Sequence, residues 1–178
     1  MSAELDSQCV FFDIGTQFGY FIEFALQAGV TPSNIHSFEA KSARHRHLLS
    51  KYSNKVNISG KRVGSEDNDK SIKIDTYSMA YEYPDIIKID VEGAEGAVLD
   101  GMSEVLADIG PKLFIEIHPN KMTDFGYSER DVQNKLFSEG YHIEVIDHRN
   151  DKSEWEVISE YSKFPSDTYL LYASKSQP

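Results

Sequence analysis

The residues able to do chemistry are crowded into a few short segments of the chain. The densest pair is IIKIDVEGAEGAVLDGM (residues 86–102) and PKLFIEIHP (residues 111–119). If the strands they contain end at the same edge of a sheet, Asp90, Glu92 and Glu95 come close to Glu116 and His118. Carboxylates gathered this way must be separated by a cation, by hydrogen-bond donors, or by a raised pKa on one of them. Two chemistries follow, and the spacing leaves both open. His118 or Asp90 can serve as a general base that removes a hydroxyl proton while the oxygen attacks an electrophile. Alternatively, some of these groups hold a divalent cation such as Mg2+, which lowers the pKa of the hydroxyl. Glu92 and Glu95 also have a plainer role as negative charge in the first turn of a helix, favourable by about 0.3–1 kcal/mol.

A second segment, DIGTQFG (residues 13–19), carries a glycine turn. Gly15 and Gly19 let the backbone turn tightly and let a ligand approach the main chain. A dinucleotide fingerprint requires another glycine two positions after the first. Here that position is Gln17, whose side chain stands where a pyrophosphate needs bare backbone, so NAD or FAD is disfavoured. The pattern suits a ligand with an amino-acid head and no phosphates. Asp13 would attract an ammonium group, and the N–H groups around Thr16 and Gln17 would face a carboxylate. An ordinary tight turn is the alternative. Glu39, after the apolar Phe38 in HSFEA, stands at a strand's carboxyl end and can accept hydrogen bonds from both hydroxyls of a ribose. His45 and His47, in ARHRH, point in different directions on a helix, so a basic patch is expected there and not a shared metal.

An alternation of strands and helices must position these groups. CVFFDI (residues 9–14) is apolar throughout and predicts a buried strand, followed by a helix over residues 20–28 that Gly29 stops. A strand over 35–39, a helix over 41–52, and strands over 56–63 and 86–91 come next. Ala94, Ala97, Val98, Met102, Val105 and Leu106 form one stripe of a helix over residues 93–109. After a strand over 112–117, Ser128 and Asp131 make a capping box for a helix that Gly140 closes. Strands over 142–146 and 168–173 are expected as an antiparallel pair at one edge, joined by a loop over 150–165 whose Trp155 packs on the sheet. The alternation implies parallel strands with right-handed crossovers, and ligands then bind beyond the carboxyl ends of the strands. That rule selects residues 13–19, Glu39, 63–67, 90–95 and 116–119.

The whole composition is compatible with this. A chain of 178 residues, 40% hydrophobic and 12% aromatic, fits one domain over residues 1–178. The net charge of −11 argues against a nucleic-acid partner, since phosphate backbones select clustered Lys and Arg. The single cysteine, Cys9, excludes an intrachain disulfide and a thiolate cluster, and it is expected as a buried free thiol. No apolar stretch reaches the length of a membrane span, and the acidic, polar N-terminus is unlike a signal peptide, so a cytoplasmic protein without a membrane partner is expected. Residues 174–178 read as a frayed tail.

With these residues in hand, the chain resembles the FkbM family of S-adenosylmethionine-dependent methyltransferases. The resemblance is carried by VFFDIGTQFGYF, by SFEA, and above all by IIKIDVEGAEGAVLDGM followed by PKLFIEIHP, and it covers roughly residues 10–119. It implies a Rossmann-like α/β fold, with a seven-stranded, mostly parallel sheet, the last strand antiparallel, and helices on both faces. It also implies methyl transfer from S-adenosylmethionine to oxygen, on a small-molecule or carbohydrate acceptor. Asp13, Gly15, Thr16, Gln17 and Gly19 become the donor loop, Glu39 the ribose ligand, and Val63 a further donor contact. Asp90, Glu92, Glu116 and His118 fall at the reaction end. No residue is assigned as a dedicated metal ligand, Mg2+ remains the alternative given above, and self-association into a homo-oligomer is left open. Family members usually carry Ala-Asn where this chain has Thr16-Gln17. The stretch over residues 64–72, before a strand expected at KIDTY (residues 73–77), is short, and a substrate cover ahead of the first strand is expected to be missing. A donor-binding module without catalysis and another nucleotide-using α/β enzyme are the competing readings.

Overall fold

The computed structural model describes residues 5–52, 55–147, 154–159 and 164–175. The first strand, β1 (Phe11–Ile14), is buried along its whole length, Asp13 included. It sits near the middle of a sheet with β2 (Ile35–Phe38), β3 (Asn57–Ser59), β6 (Ile86–Ile89), β7 (Lys112–Ile117), β8 (His142–Ile146), β9 (Glu156–Ile158) and β10 (Tyr169–Ser174). The order across the sheet is β3-β2-β1-β6-β7-β10-β8-β9. The pairs β1–β2, β1–β6, β2–β3 and β6–β7 are parallel. Strand order therefore reverses beside β1, between β2 and β6, and this is where the carboxyl ends open a crevice.

The sheet is mostly parallel with an antiparallel last strand, as expected, and β9 extends it by one short edge strand from within the segment read as a loop. The last pair differs from the expectation in position. Strand β10 does not sit at the edge but inserts between β7 and β8, antiparallel to both. Insertion buries Tyr169, Leu171 and Ala173 on one face of β10, which an edge position would have left half covered. Trp155 lies edge-on to Tyr172, with ring centroids 6.4 Å apart, and 45% of its surface stays exposed. The rest of the expected loop over 150–165, apart from residues 154–159, 164 and 165, lies outside the described residues, as do residues 176–178 of the expected tail.

Three further segments depart from the sequence reading. The strand expected over 56–63 breaks at Gly60, and its second half, β4 (Arg62–Val63), pairs instead with β5 (Ser71–Ile72) in a separate two-stranded sheet. KIDTY is not a strand. It begins α3 (Ile74–Ala80), whose Ile74, Asp75, Tyr77 and Ser78 are buried. The helix expected over 93–109 is interrupted after α4 (Glu95–Asp100) and resumes as a widened π-turn over Val105–Ile109. The break lies at Gly101, where a side chain would stand 2.0 Å from the carbonyl oxygen of Gly64, and beyond it the Asp75 carboxylate accepts the N–H of Val105 at 3.0 Å. The Gly101 carbonyl also accepts the N–H of Asp75 at 3.1 Å.

Helices cover both faces. Phe11, Ile35 and Ile86 pack under α1 (Tyr20–Gln27) and α2 (Ser42–Tyr52), through Ile22, Ala25 and Leu48. Phe12, Ile14, Ile87, Ile89, Leu113 and Ile115 face the other way, onto α3, α4 and α6 (Glu129–Ser138). The alternation follows from the two-residue repeat of a strand. Helix α6 opens with the expected capping box, Ser128 and Asp131 each bonding the other's backbone.

Candidate active site

At the carboxyl end of β1 the chain turns through Gly15, with φ 83°, and Gln17, with φ 54°. Gly15 is required by space as well as by φ, since a Cβ would stand 1.8 Å from the carbonyl oxygen of Asp90. Gln17 is a non-glycine residue held in a left-handed conformation, which costs about 1–2 kcal/mol. Two bonds hold it there. Its N–H donates to Glu39 Oε2 at 3.0 Å, and its side-chain Nε2 donates to Asp90 Oδ2 at 3.0 Å. Gln17 therefore ties together the ends of β1, β2 and β6. Glu39 is buried, and its other oxygen accepts the N–H of Lys41 at 2.7 Å. Both carboxylate oxygens are thus oriented by main-chain donors, which is the arrangement that fixes an acceptor for a ligand's hydroxyls.

Beneath this turn lies a buried ion pair that the sequence reading missed. The parallel register places Asp13 beside Lys88, and Lys88 Nζ lies 3.6 Å from Asp13 and 3.5 Å from Asp90. Burial pushes the Asp13 carboxyl up, while Lys88 pulls it back toward the charged form. The available signal was Lys88 itself, a cation inside the apolar run IIKID.

The second half of the site sits at the ends of β6 and β7. Continuing their register one step beyond Ile89–Ile115 brings Asp90 beside Glu116. His118 follows and is 6% exposed. Its Nδ1 lies 2.8 Å from Glu95 Oε1, and Glu95 is fully buried at the start of α4. The same Glu95 oxygen accepts the N–H of Gly93 at 3.0 Å. With Nδ1–H donated to Glu95, the other ring nitrogen faces outward as the acceptor, an assignment made from the hydrogen-bond network. His118 Nε2 then lies 3.6 Å from Glu92, 3.8 Å from Asp90 and 3.9 Å from Glu116. Burial alone would lower the His118 pKa, but the bond and charge of Glu95, followed by Glu92 and Asp90, outweigh it and raise it above the usual 6.5. Glu92, at φ 59°, pairs with Lys121 at the rim, and that bond holds its carboxyl below the usual range.

Two adjoining cavities result. One, of about 330 Å3, is lined by Gly15, Gln17, Glu39, Val63 and Phe125 among others. The next, of about 400 Å3, is lined by Glu116, His118, Asn120, Lys121, Asp167 and Thr168. Gln17, Asp90 and Glu92 form the boundary between them. Eight of the residues singled out from the sequence therefore converge: Gly15, Gln17, Glu39 and Val63 on one side, Glu116 and His118 on the other, and Asp90 and Glu92 between. Asp13, Thr16 and Gly19 do not line either cavity. Thr16 is buried with its hydroxyl on the carbonyl of Asp13 at 2.8 Å. Gly19 precedes α1, where a Cβ would stand 2.6 Å from the Tyr52 hydroxyl, so it serves helix packing.

Asp90, Glu116 and His118 can offer ligand atoms within 4.8 Å of one another. An imidazole with two carboxylates suits a borderline transition ion better than Mg2+, which prefers an octahedron of oxygens. These residues do not fit Mg2+. The residues that sequence reasoning did not find are Lys88, Phe125, Asn120, Lys121, Asp167 and Thr168, together with the grip of Glu95 on His118. Most come from segments with no motif of their own.

Comparison with known proteins extends this picture. Residues 13–143 match the family model of the methyltransferase FkbM domain. No curated protein matches the chain in sequence. Among solved structures, the chain is similar to a methyltransferase FkbM from Methylobacillus flagellatus, with a TM-score of 0.68 and 20% identity, over 95% of this chain and 44% of that one. It is also similar to a precorrin-6y C5,15-methyltransferase from Geobacter metallireducens (TM-score 0.57, 15% identity, 97% and 81% covered). A third is a SAM-dependent O-methyltransferase from Thermotoga maritima (TM-score 0.59, 15% identity, 98% and 62% covered). At these identities the likeness is one of fold. The chain spans less than half the length of the Methylobacillus protein.

Proposed function

The chain belongs to the FkbM family of methyltransferases, and on that premise we propose that it transfers the methyl group of S-adenosylmethionine to a hydroxyl oxygen of a small molecule or sugar. The observation that carries this reading is the Glu95–His118 pair, which aims Nε2 into the second cavity beside the boundary at Asp90. The donor fits the first cavity. Glu39 takes the ribose hydroxyls, Val63 and Phe125 flank the base, and the turn at Gly15 and Gln17 meets the methionine head. Asp13, Thr16 and Gly19 support that turn from behind. The sulfonium is the only electrophile required, and its positive charge suits a boundary made of Asp90 and Glu92.

In the reaction the acceptor hydroxyl donates its proton to His118 Nε2 while its oxygen attacks the methyl carbon. The new C–O bond forms as the C–S bond breaks, and the sulfur keeps that electron pair, leaving the neutral thioether S-adenosylhomocysteine. The reacting atoms must be held about 3 Å apart and in line. Glu95 orients the ring and stabilises the imidazolium that forms. Asp90 is the poorer base, since its Oδ2 already accepts from Gln17 and faces Lys88. Glu116 and Glu92 stand beside the ring and stabilise its protonated state.

The test is His118→Ala. Turnover should fall by about 100-fold to 10,000-fold, the usual worth of a general base, while S-adenosylhomocysteine affinity is kept. Methyl transfer at the wild-type rate would remove His118 from this role. Tight S-adenosylhomocysteine binding without transfer to any hydroxyl acceptor would instead identify a donor-binding module.

A further inference from the structure

The basic residues of this acidic chain are not spread evenly around the site. Lys41, Arg44, Lys61 and Arg62 all line the outer wall of the first cavity, in a chain of net charge −11. Lys41 and Arg44 come from the start of α2 and the turn before it, and Lys61 and Arg62 from the break between β3 and β4. Gly60 allows the two segments to meet, since a Cβ there would stand 2.9 Å from the ring of His45 on α2.

None of the four lies within ion-pairing distance of a described carboxylate. Arg44 lies over the Phe18 ring at 5.1 Å, and Lys61 Nζ donates to the carbonyl of Asn68 at 2.9 Å. Glu39 is on the same wall, but its oxygens accept from the backbone of Gln17 and Lys41. The donor does not account for these cations. Its one anionic group is the carboxylate of its methionine head, placed at the Gly15–Gln17 turn, and its adenosine end carries no charge. Glu39, Asp90 and Glu92 line the same cavity, and the charge of Lys41 acts on Glu92, so the four cations exceed its three carboxylates by one; guanidinium groups pair best with phosphate or carboxylate oxygens.

The neighbouring cavity has the opposite character. Asp90, Glu92, Glu116 and Asp167 line it against Lys121 and His118. A phosphate is repelled from that compartment and attracted to the rim, so a molecule carrying both a hydroxyl and a phosphate is oriented by charge alone. We propose that the rim of Lys41, Arg44, Lys61 and Arg62 binds a phosphate or diphosphate group on the molecule that carries the acceptor hydroxyl. The substrate class is thus a phosphorylated conjugate, held by its anionic handle while its hydroxyl reaches His118. This inference rests on the methyl-transfer reading above.

Calorimetry on the full chain at low salt, with inorganic pyrophosphate as the probe and S-adenosylhomocysteine saturating, tests it. Pyrophosphate should bind alongside S-adenosylhomocysteine. The triple variant Arg44→Gln, Lys61→Gln, Arg62→Gln should bind pyrophosphate about tenfold or more weakly with an unchanged circular dichroism spectrum and a cooperative thermal transition, which show that it is folded. The proposal is overturned if the wild-type protein does not bind pyrophosphate, or if the variant binds it equally well. It is also overturned if pyrophosphate or ADP displaces S-adenosylhomocysteine, because the anion would then be a free nucleotide in the donor cavity. Failure of the wild-type chain to bind S-adenosylhomocysteine is a separate result, which removes the methyl-transfer reading and this inference with it.

Discussion

The two compartments are built from different materials. On the donor side the geometry is set by the main chain: Gly15 against the Asp90 carbonyl, the left-handed Gln17, and a Glu39 oriented by two N–H groups. On the acceptor side it is set by side chains meeting side chains, with His118 between Glu95, Glu92, Asp90 and Glu116. A backbone scaffold is most sensitive to added volume. A cluster of ionisable groups is tunable, and it changes when one charge or one proton is removed. Donor binding should therefore respond most to changes of backbone and volume, and catalysis most to changes of charge.

The largest effect is expected from Gly15→Ala, because its methyl would overlap backbone that cannot move aside. A loss of about 4 kcal/mol or more is expected, read by thermal unfolding and by lost S-adenosylhomocysteine binding. A wild-type melting temperature would contradict a donor side built on backbone sterics. Next is Lys88→Met, which leaves Asp13 buried without its cation. Removing one partner of a buried pair costs about 3–5 kcal/mol. Chemical denaturation that shows no change would mean that the boundary between the compartments does not depend on this charge.

Glu95→Gln sharpens the comparison, since it removes the charge behind His118 while leaving an amide oxygen able to accept the N–H of Gly93. A base must be neutral to accept a proton, so kcat/KM in the wild type should rise with pH through a value above 6.5 and then level off. Without the Glu95 charge, less opposes the lowering effect of burial on His118, and the inflection should move to lower pH. The plateau should fall by about 10-fold to 100-fold as the ring loses its orienting partner, with KM for the donor unchanged. An inflection that stays in place would show Glu95 to be a packing residue only. The smallest effect concerns the wild type itself. The donor's sulfonium opposes the charge on His118, so donor binding near neutral pH should release a fraction of a proton. Calorimetry in buffers of different ionisation enthalpy reads that fraction, and a value of zero would place the sulfonium away from His118.

Much of the fold was legible because its signals are local. Largely apolar segments marked β1, β2, β6 and β7, and Ser128, Asp131 and Gly140 bounded α6 through hydrogen bonds and backbone angles that reach only a few residues. The errors arose where a distant contact overrode such signals. The stripe from Ala94 to Leu106 promised one helix, yet it breaks at Gly101, where Gly64 comes close. The resemblance makes KIDTY a strand, yet the buried Ile74, Tyr77 and Ser78 recur at helical spacing and it folds as α3.

The site divides along the same line. Residue type and spacing alone were enough to expect Gly15, Gln17, Glu39, Asp90, Glu116 and His118 at strand ends around one crevice, and they line two adjoining cavities there. Strand ends project predictably once the strands are known. Only the tertiary structure decided which partner each of them takes. Glu95 grips His118 rather than merely capping α4, Lys88 lies under Asp13, and four cations gather on one wall of the first cavity. Those choices depend on strand order and register. Both are set by packing between segments far apart in the chain, and no local pattern of residues encodes them.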